Sequence, residues 1–306
     1  MITTVCMNPS FDKTVEIPCL QPGELNRIQK IRQDPGGKGL NVAVVLHRLG
    51  VEAGCVGFLG EESRPSFLKL LEKEGVSFQA VPLPGEVRTN LKVVDCSSGR
   101  VTELNEPGPE VDPPHLEAFF ALLRQAAGES DLVVFSGSLP RGCEGSYARG
   151  LRELSGVRCV LDCAGSALRE ALPQKPFLIK PNRAELEELA GRRLSTLAEI
   201  QTAARELMAL GAENVIVSLG KEGALLLCQD LCLFAPEVET EVHSTVGAGD
   251  AMLAGVVAAL EKGEDLPEAF RWGVAAGTAS VMTDGTQLIR LEDYQRLLPR
   301  VRVEKL

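Results

Sequence analysis

The sequence predicts an α/β fold: a parallel sheet covered by helices on both faces, with a small β-sheet lid inserted near the N-terminus. Three observations lead there. From 131 to 219 short apolar segments alternate with segments of helical periodicity, the pattern of successive βα units. Two glycine-rich turns, at 35–39 and 244–249, each run directly into an apolar helical segment. Segments 13–17, 26–34 and 88–94 instead alternate residue by residue, which suits strands with one exposed face.

In order along the chain, 1–7 reads as a buried strand that ends in Asn8-Pro9-Ser10, with Asp12 following. Segments 13–17 and 26–34 form an expected hairpin around the turn-rich 18–23. Residues 40–49 form a helix that stops at Gly50, 53–59 a strand, 64–75 a helix and 76–81 a strand. Residues 88–94 and 99–106 pair as strands before the loop Asn105-Glu106-Pro107-Gly108-Pro109. Helices follow at 115–127, 147–154 and 197–210, and another opens at Asn182. The intervening strands are 131–135, 158–162, 177–180 and 214–219, and 224–228 with 232–235 reads as a hairpin. Apolar helices over 251–260 and 269–282 complete the fold. No linker divides the chain, so 1–306 is expected to be a single domain whose lid is built from about 12–34 and 87–106.

Composition narrows the function. At 306 residues and 44% hydrophobic, the chain can bury a sizeable core. A net charge of −10 argues against nucleic-acid or membrane binding, so a phosphate ligand has to be held by a few local bases and backbone N–H groups. There is no transmembrane-length apolar run and no signal peptide. The nine cysteines include no C-x-x-C, which suits reduced thiols in a cytoplasmic protein. Three histidines are too few to favour a structural metal cluster or a histidine-based triad.

The most informative stretch is Ser244-Thr245-Val246-Gly247-Ala248-Gly249-Asp250. Its glycines let backbone approach a ligand, and the first N–H groups of the following helix lack intrahelical partners, which makes an anion site. Asp250 at its mouth is either a base that takes a proton from an attacking hydroxyl or a helix-start residue stabilised by the dipole. A dinucleotide fingerprint fails because Met252 stands where a third glycine belongs. Gly36-Gly37-Lys38-Gly39 is a second anion site, but it is no P-loop: Arg32 and Gly39 occupy the positions of the first glycine and the Ser/Thr. Arg88, Asn90 and Lys92 share one strand face, either solvated or turned toward a phosphate. Asn182 and Glu185 fit a helix capping box.

Taken together these stretches resemble the signatures of ribokinase-type (PfkB family) carbohydrate kinases. The resemblance rests on Gly36-Gly37-Lys38-Gly39-Leu40-Asn41 and the 244–250 stretch. Asn8-Pro9-Ser10-x-Asp12, Ser136-Gly137-Ser138-Leu139-Pro140, Lys180-Pro181-Asn182-x-x-Glu185 and Ser218-Leu219-Gly220-x-x-Gly223 support it in the same order along the chain. It implies a ribokinase-like fold and ATP-dependent phosphorylation of a ketose phosphate, with fructose 1-phosphate favoured over tagatose 6-phosphate and fructose 6-phosphate. A catalytically silent sugar-phosphate sensor is the alternative from another class, disfavoured by the presence of Asp250, Asn182 and Glu185.

The resemblance also implies roles. Asp250 is the base, without need of a strongly raised pKa, and Gly247, Ala248, Gly249 and Asp250 supply the anion hole. Asp12, Gly37, Lys38, Asn41, Arg88, Asn90, Lys92 and Ser138 hold the substrate, with Lys38, Arg88 and Lys92 meeting its phosphate. Lys180 lies between the two phosphates. Asn182, Glu185, Ser218, Gly220, Gly223 and Gly249 bind ATP, with 275–278 closing over its base. Glu185 and Asn182 organise Mg²⁺ through water, and two lids pair into a homodimer.

Overall fold

The computed structural model describes residues 1–306 except Glu129, Asp230 and Thr286. The first half of the chain contributes β1 (Ile2–Cys6), β2 (Ser10–Ile17), β3 (Lys30–Gly36), α1 (Lys38–Arg48), β4 (Ala53–Gly60), α2 (Arg64–Glu74), β5 (Ser77–Leu83), β6 (Arg88–Asp95) and β7 (Arg100–Asn105). Then come α3 (Pro113–Ala127), β8 (Leu132–Ser136), α4 (Ser146–Glu153), β9 (Arg158–Asp162), α5 (Gly165–Ala171), β10 (Leu178–Ile179), α6 (Arg183–Ala190) and α7 (Leu197–Ala209). The C-terminal part holds β11 (Asn214–Ser218), β12 (Ala224–Cys228), β13 (Leu231–Ala235), α8 (Ala248–Glu261), α9 (Leu266–Val281), α10 (Leu291–Leu297) and β14 (Glu304–Lys305).

Ten strands form one sheet in the order β14-β13-β12-β11-β10-β9-β8-β1-β4-β5. It is parallel from β5 to β11 and antiparallel from β11 to β14. Successive residues feed opposite cores: Leu132 and Val134 pack with α1, α2, α8, α9 and α10, whereas Val133 and Phe135 pack with α3 to α7. Both faces are therefore covered, which is why these strands read as unbroken apolar runs. The expected hairpin at 224–235 is present, though Asp230 in its turn lies outside the described residues. Helices α5 and α10 and strand β14 were not foreseen from the sequence.

The second sheet has the order β3-β2-β6-β7 and uses the segments expected for the lid. Its centre differs from a pair of hairpins laid side by side. β2 and β6 run parallel, with Asp12 beside Asn90 and Thr14 beside Lys92. That pairing brings Asp12 and the Arg88–Lys92 face together, and it sets the chemistry of the lid.

Helices α8 and α9 approach closely because glycines face each other. A Cβ on Gly255 would meet the Ala276 methyl at 2.8 Å, and one on Gly273 would meet Val256 at 2.5 Å. This contact seats α8 closely against α9.

Candidate active site

β1, β8, β9, β10 and β11 are parallel, so their C-terminal ends open on one side, where open α/β sheets bind ligands. A cavity of about 990 Å³ lies there, lined by residues at or just beyond those ends: Asn8, Ser136, Asp162, Lys180 and Ser218. The lid closes one side of it with Asp12, Arg88, Asn90 and Asn105.

Two helix N-termini point into the cavity. Gly247 has φ 78, and this left-handed turn starts α8 immediately before Ala248, Gly249 and Asp250. Gly37 has φ 121 at the start of α1, where a Cβ would stand 2.5 Å from Cys6 Sγ. Only glycine lets that loop lie against the end of β1. A Cβ on Gly249 would stand 3.1 Å from Lys180 Nζ, so the Lys180 ammonium lies against the turn that begins α8.

The charges form a compact group. Asp250 is buried, 5% exposed, and its Oδ2 accepts a 2.7 Å hydrogen bond from Asn41 Nδ2. Burial first, and the nearby charge of Asp162 second, push the Asp250 carboxyl up to about 6; Lys38, the Asn41 hydrogen bond and Lys180 act in the opposite direction. The sequence reading required no strongly raised pKa of this base, and burial supplies a raised one. Asp162 is 1% exposed, with Lys38 Nζ 3.3 Å from Oδ1 and Lys180 Nζ 3.2 Å from Oδ2. The Lys38 contact is a hydrogen bond, whereas Lys180 sits within ion-pair distance outside hydrogen-bonding geometry. Burial opposes charge on Asp162, but Lys180 and Lys38 outweigh it and hold the carboxyl below its ordinary value. Asp162 in turn raises the Lys38 ammonium against the cost of burial.

On the lid, Asp12 accepts from Ser10 Oγ at 2.9 Å, Asn90 Nδ2 at 3.2 Å and Lys92 Nζ at 3.0 Å. Arg88 donates to the backbone oxygens of Asn8, at 3.0 and 3.2 Å, and of Glu106, at 3.0 Å. Burial lowers the pKa of Arg88, yet a guanidinium stays charged. The Asn8 side chain donates to Pro107 O and Ser138 Oγ, both at 3.2 Å, which ties the 105–109 loop to the sheet.

Every expected site residue except Lys92 lines this cavity, from Asp12, Gly37 and Lys38 to Ser218, Gly220 and Gly223. Lys92 is 6% exposed and turned to Asp12, so it neutralises a carboxylate inside the lid. Asn41, expected on sugar hydroxyls, gives an amide hydrogen to Asp250. Asn182 and Glu185 do form the capping box: Asn182 Oδ1 accepts from Glu185 N, and Glu185 Oε2 accepts from Asn182 N, both at 2.9 Å. Both line the cavity as well. The segment 275–278 contributes only Gly277 and Thr278. Ala275 is buried in the core, and Val274 and Val281 complete the cavity-facing stripe at helical spacing. With Val238, Val242 and Val246 they make one end of the cavity apolar.

Asp162 was missed, and Asn8 and Asn105 stood in motifs without an assigned role. The available signal for Asp162 was its position, an acid closing a strand at the binding end of a parallel sheet.

Two anion-binding helix starts, a buried acid between them and cations aimed at the same cavity define a small-molecule phosphotransferase. The chain belongs to the pfkB family of carbohydrate kinases, whose sequence pattern matches residues 6–293. It is 36% identical to a 1-phosphofructokinase of Bacillus subtilis (strain 168), over 100% of both chains. A crystal structure of phosphofructokinase-2 from Escherichia coli in complex with fructose-6-phosphate is 30% identical, covers 98% of each chain and superposes with a TM-score of 0.91. A ribokinase from Thermotoga maritima, 23% identical over 98% of this chain and 99% of that one with a TM-score of 0.83, shares the fold.

Proposed function

We propose that the chain transfers the γ-phosphoryl group of ATP to a hydroxyl of a ketose phosphate, converting fructose 1-phosphate to fructose 1,6-bisphosphate. The observation that carries this is the buried Asp250 carboxylate at the start of α8, oriented by Asn41 and flanked by Lys38 and Lys180 in one cavity. The hydroxyl oxygen forms a bond to the γ-phosphorus as the bond to the bridging oxygen of ADP breaks, and the hydroxyl proton passes to Asp250. With a pKa of about 6, Asp250 is ionised at neutral pH and better matched to a hydroxyl proton than an ordinary aspartate. The amides of Gly247 to Asp250 face the γ-phosphoryl oxygens, and Lys38 and Lys180 offset charge on the two phosphate-bearing ligands.

Arg88 and Lys38 are the cations for the acceptor's existing phosphate, with Asp12, Asn90 and Ser138 on its hydroxyls. The apolar end at Val242, Val246, Val274 and Val281 suits an adenine ring, with Ser218, Gly220 and Gly223 beside it. Glu185 fits water-mediated Mg²⁺. Its Oε2 is engaged in the capping box, and Oε1 would be the acceptor for metal-bound water. Bound Mg²⁺ would neutralise nucleotide phosphate charge, and Asn182 would fix Glu185 in place.

In this reading 1–306 is one kinase unit with the four-stranded sheet as its lid. It acts as a homodimer joined through the lids and works in the cytoplasm, where its free cysteines, six of them buried, stay reduced.

Steady-state ADP release with fructose 1-phosphate, fructose 6-phosphate and tagatose 6-phosphate tests the assignment. The expected result is the highest kcat/KM for fructose 1-phosphate. A preference for fructose 6-phosphate is the second reading, favoured by the likeness to the fructose-6-phosphate complex. Absence of turnover with all three would leave a sensor.

A further inference from the structure

We propose that Asp162 is a positioning residue for phosphoryl transfer: it fixes the Lys38 and Lys180 ammonium groups on either side of the transfer path and shields Asp250 from their combined charge. The inference rests on Asp250 being the base.

Asp162 closes β9 and is 1% exposed. A carboxylate that deep is strongly disfavoured unless it is paired. Its partners come from two separate elements, Lys38 from the first residue of α1 and Lys180 from the residue after β10. Lys180 is itself only 4% exposed and lies against the Gly249 turn, so it has no solvent to retreat to. One buried acid therefore sets the positions of two cations that have no direct link to each other.

Among the described residues, Asp162 is the carboxylate within ion-pair distance of both ammonium groups. Two lysines face Asp162 and Asp250, so two positive charges meet two negative ones. With Asp162 made neutral, both ammonium groups would act on Asp250 alone. Opposite charges at such range favour an ionised carboxylate and would make Asp250 a weaker base. The groups acting on Asp250 are Lys38 and Asn41 from α1, Asp162 from β9 and Lys180 beyond β10, while α9 packs against α8 through Gly273 and Gly277 without charge. Glu185 of α6 acts on Lys38. The direction of the shift at Asp250, which Asp162 raises and both lysines lower, agrees with this geometry.

The test is Asp162→Asn, a change that keeps shape and removes charge. The pH profile of kcat/KM for the ketose phosphate is measured at saturating ATP and Mg²⁺. The acid limb is expected to move down by about one pH unit. At neutral pH, kcat should fall by roughly tenfold and KM for ATP rise as the lysines lose their anchor. Lys38→Met provides the opposite sign, since loss of a cation should move the acid limb up. Proton uptake by the ligand-free protein between pH 5 and 7 reports the same shifts without turnover, and it covers the case in which Asp162→Asn folds poorly and only Lys38→Met is measurable.

An unmoved acid limb in Asp162→Asn, or a defect that higher Mg²⁺ restores in full, overturns the proposal. The second result would make Asp162 a metal-binding group. Failure of the kinase reading itself is distinguishable, because the wild-type protein would then release no ADP.

Discussion

Asp250 carries opposite consequences for activity and for stability. Its folded pKa, about 6, lies above the ordinary 3.8, so the folded state holds the proton more tightly than the unfolded chain. Stability is therefore lost as pH rises from near 4 through 6, and the loss is complete above about 6. Activity requires the ionised form and rises over the upper part of the same range. Asp250→Asn is expected to melt several degrees higher than wild type at pH 7.5, with the gain vanishing at pH 4, as differential scanning calorimetry would show. Asp250→Ala should lose on the order of 10³ in kcat while ATP affinity stays within a few-fold. Near-normal turnover would remove Asp250 as the base. This acid was legible in the sequence because the glycines beside it mark a helix start. Asp162 ends an ordinary buried strand, and only the folded chain brings Lys38 and Lys180 to it.

Among the elements, the lid shows where residue alternation informs and where it stops. Alternation correctly put Arg88, Asn90 and Lys92 on one face. It could not reveal that β2 lies parallel to β6, a pairing that turns Lys92 onto Asp12. The two cations of this face then differ in kind. Lys92→Met leaves the buried Asp12 with only neutral donors, and loss of one member of a buried pair costs about 3–5 kcal/mol. Thermal or urea unfolding should show that loss. Arg88→Ala, which removes bonds to the backbone oxygens of Asn8 and Glu106 but strands no buried charge, should cost less stability than Lys92→Met and raise KM for the ketose phosphate far more than for ATP. Equal effects on the two KM values would show that Arg88 does not read the acceptor's phosphate. The βα units were legible because doubly buried strands and amphipathic helices write period into sequence. β14, two exposed residues paired with β13, carries no such period.

At the scale of the whole molecule, the outer strands of the lid carry apolar side chains that the single chain leaves exposed, although Phe11 and Val15 on the same face are buried. Ile31, Leu91, Val93 and Leu104 fall on the face opposite Asp12, because Ile31 pairs with Val15, Val15 with Val93, and Leu91 with both Lys13 and Leu104. Ile31 and Leu104 are each 57% exposed, and β3 and β7 are open edges of this sheet. Apolar residues on an exposed sheet with free edges favour pairing with another sheet, and an identical lid offers the same surface in return. Asp12, Arg88 and Asn90 stand on the reverse of that sheet, so lid pairing would stiffen the acceptor half of the cavity and leave the nucleotide half largely untouched. Leu104→Asp is therefore expected to turn a dimer into a monomer at micromolar concentration by sedimentation velocity. The monomer should show a raised KM for the ketose phosphate and a nearly unchanged KM for ATP. A wild-type protein that sediments as a monomer at every concentration would rule out pairing through this face, and a monomeric variant with unaltered kinetics would separate assembly from substrate binding.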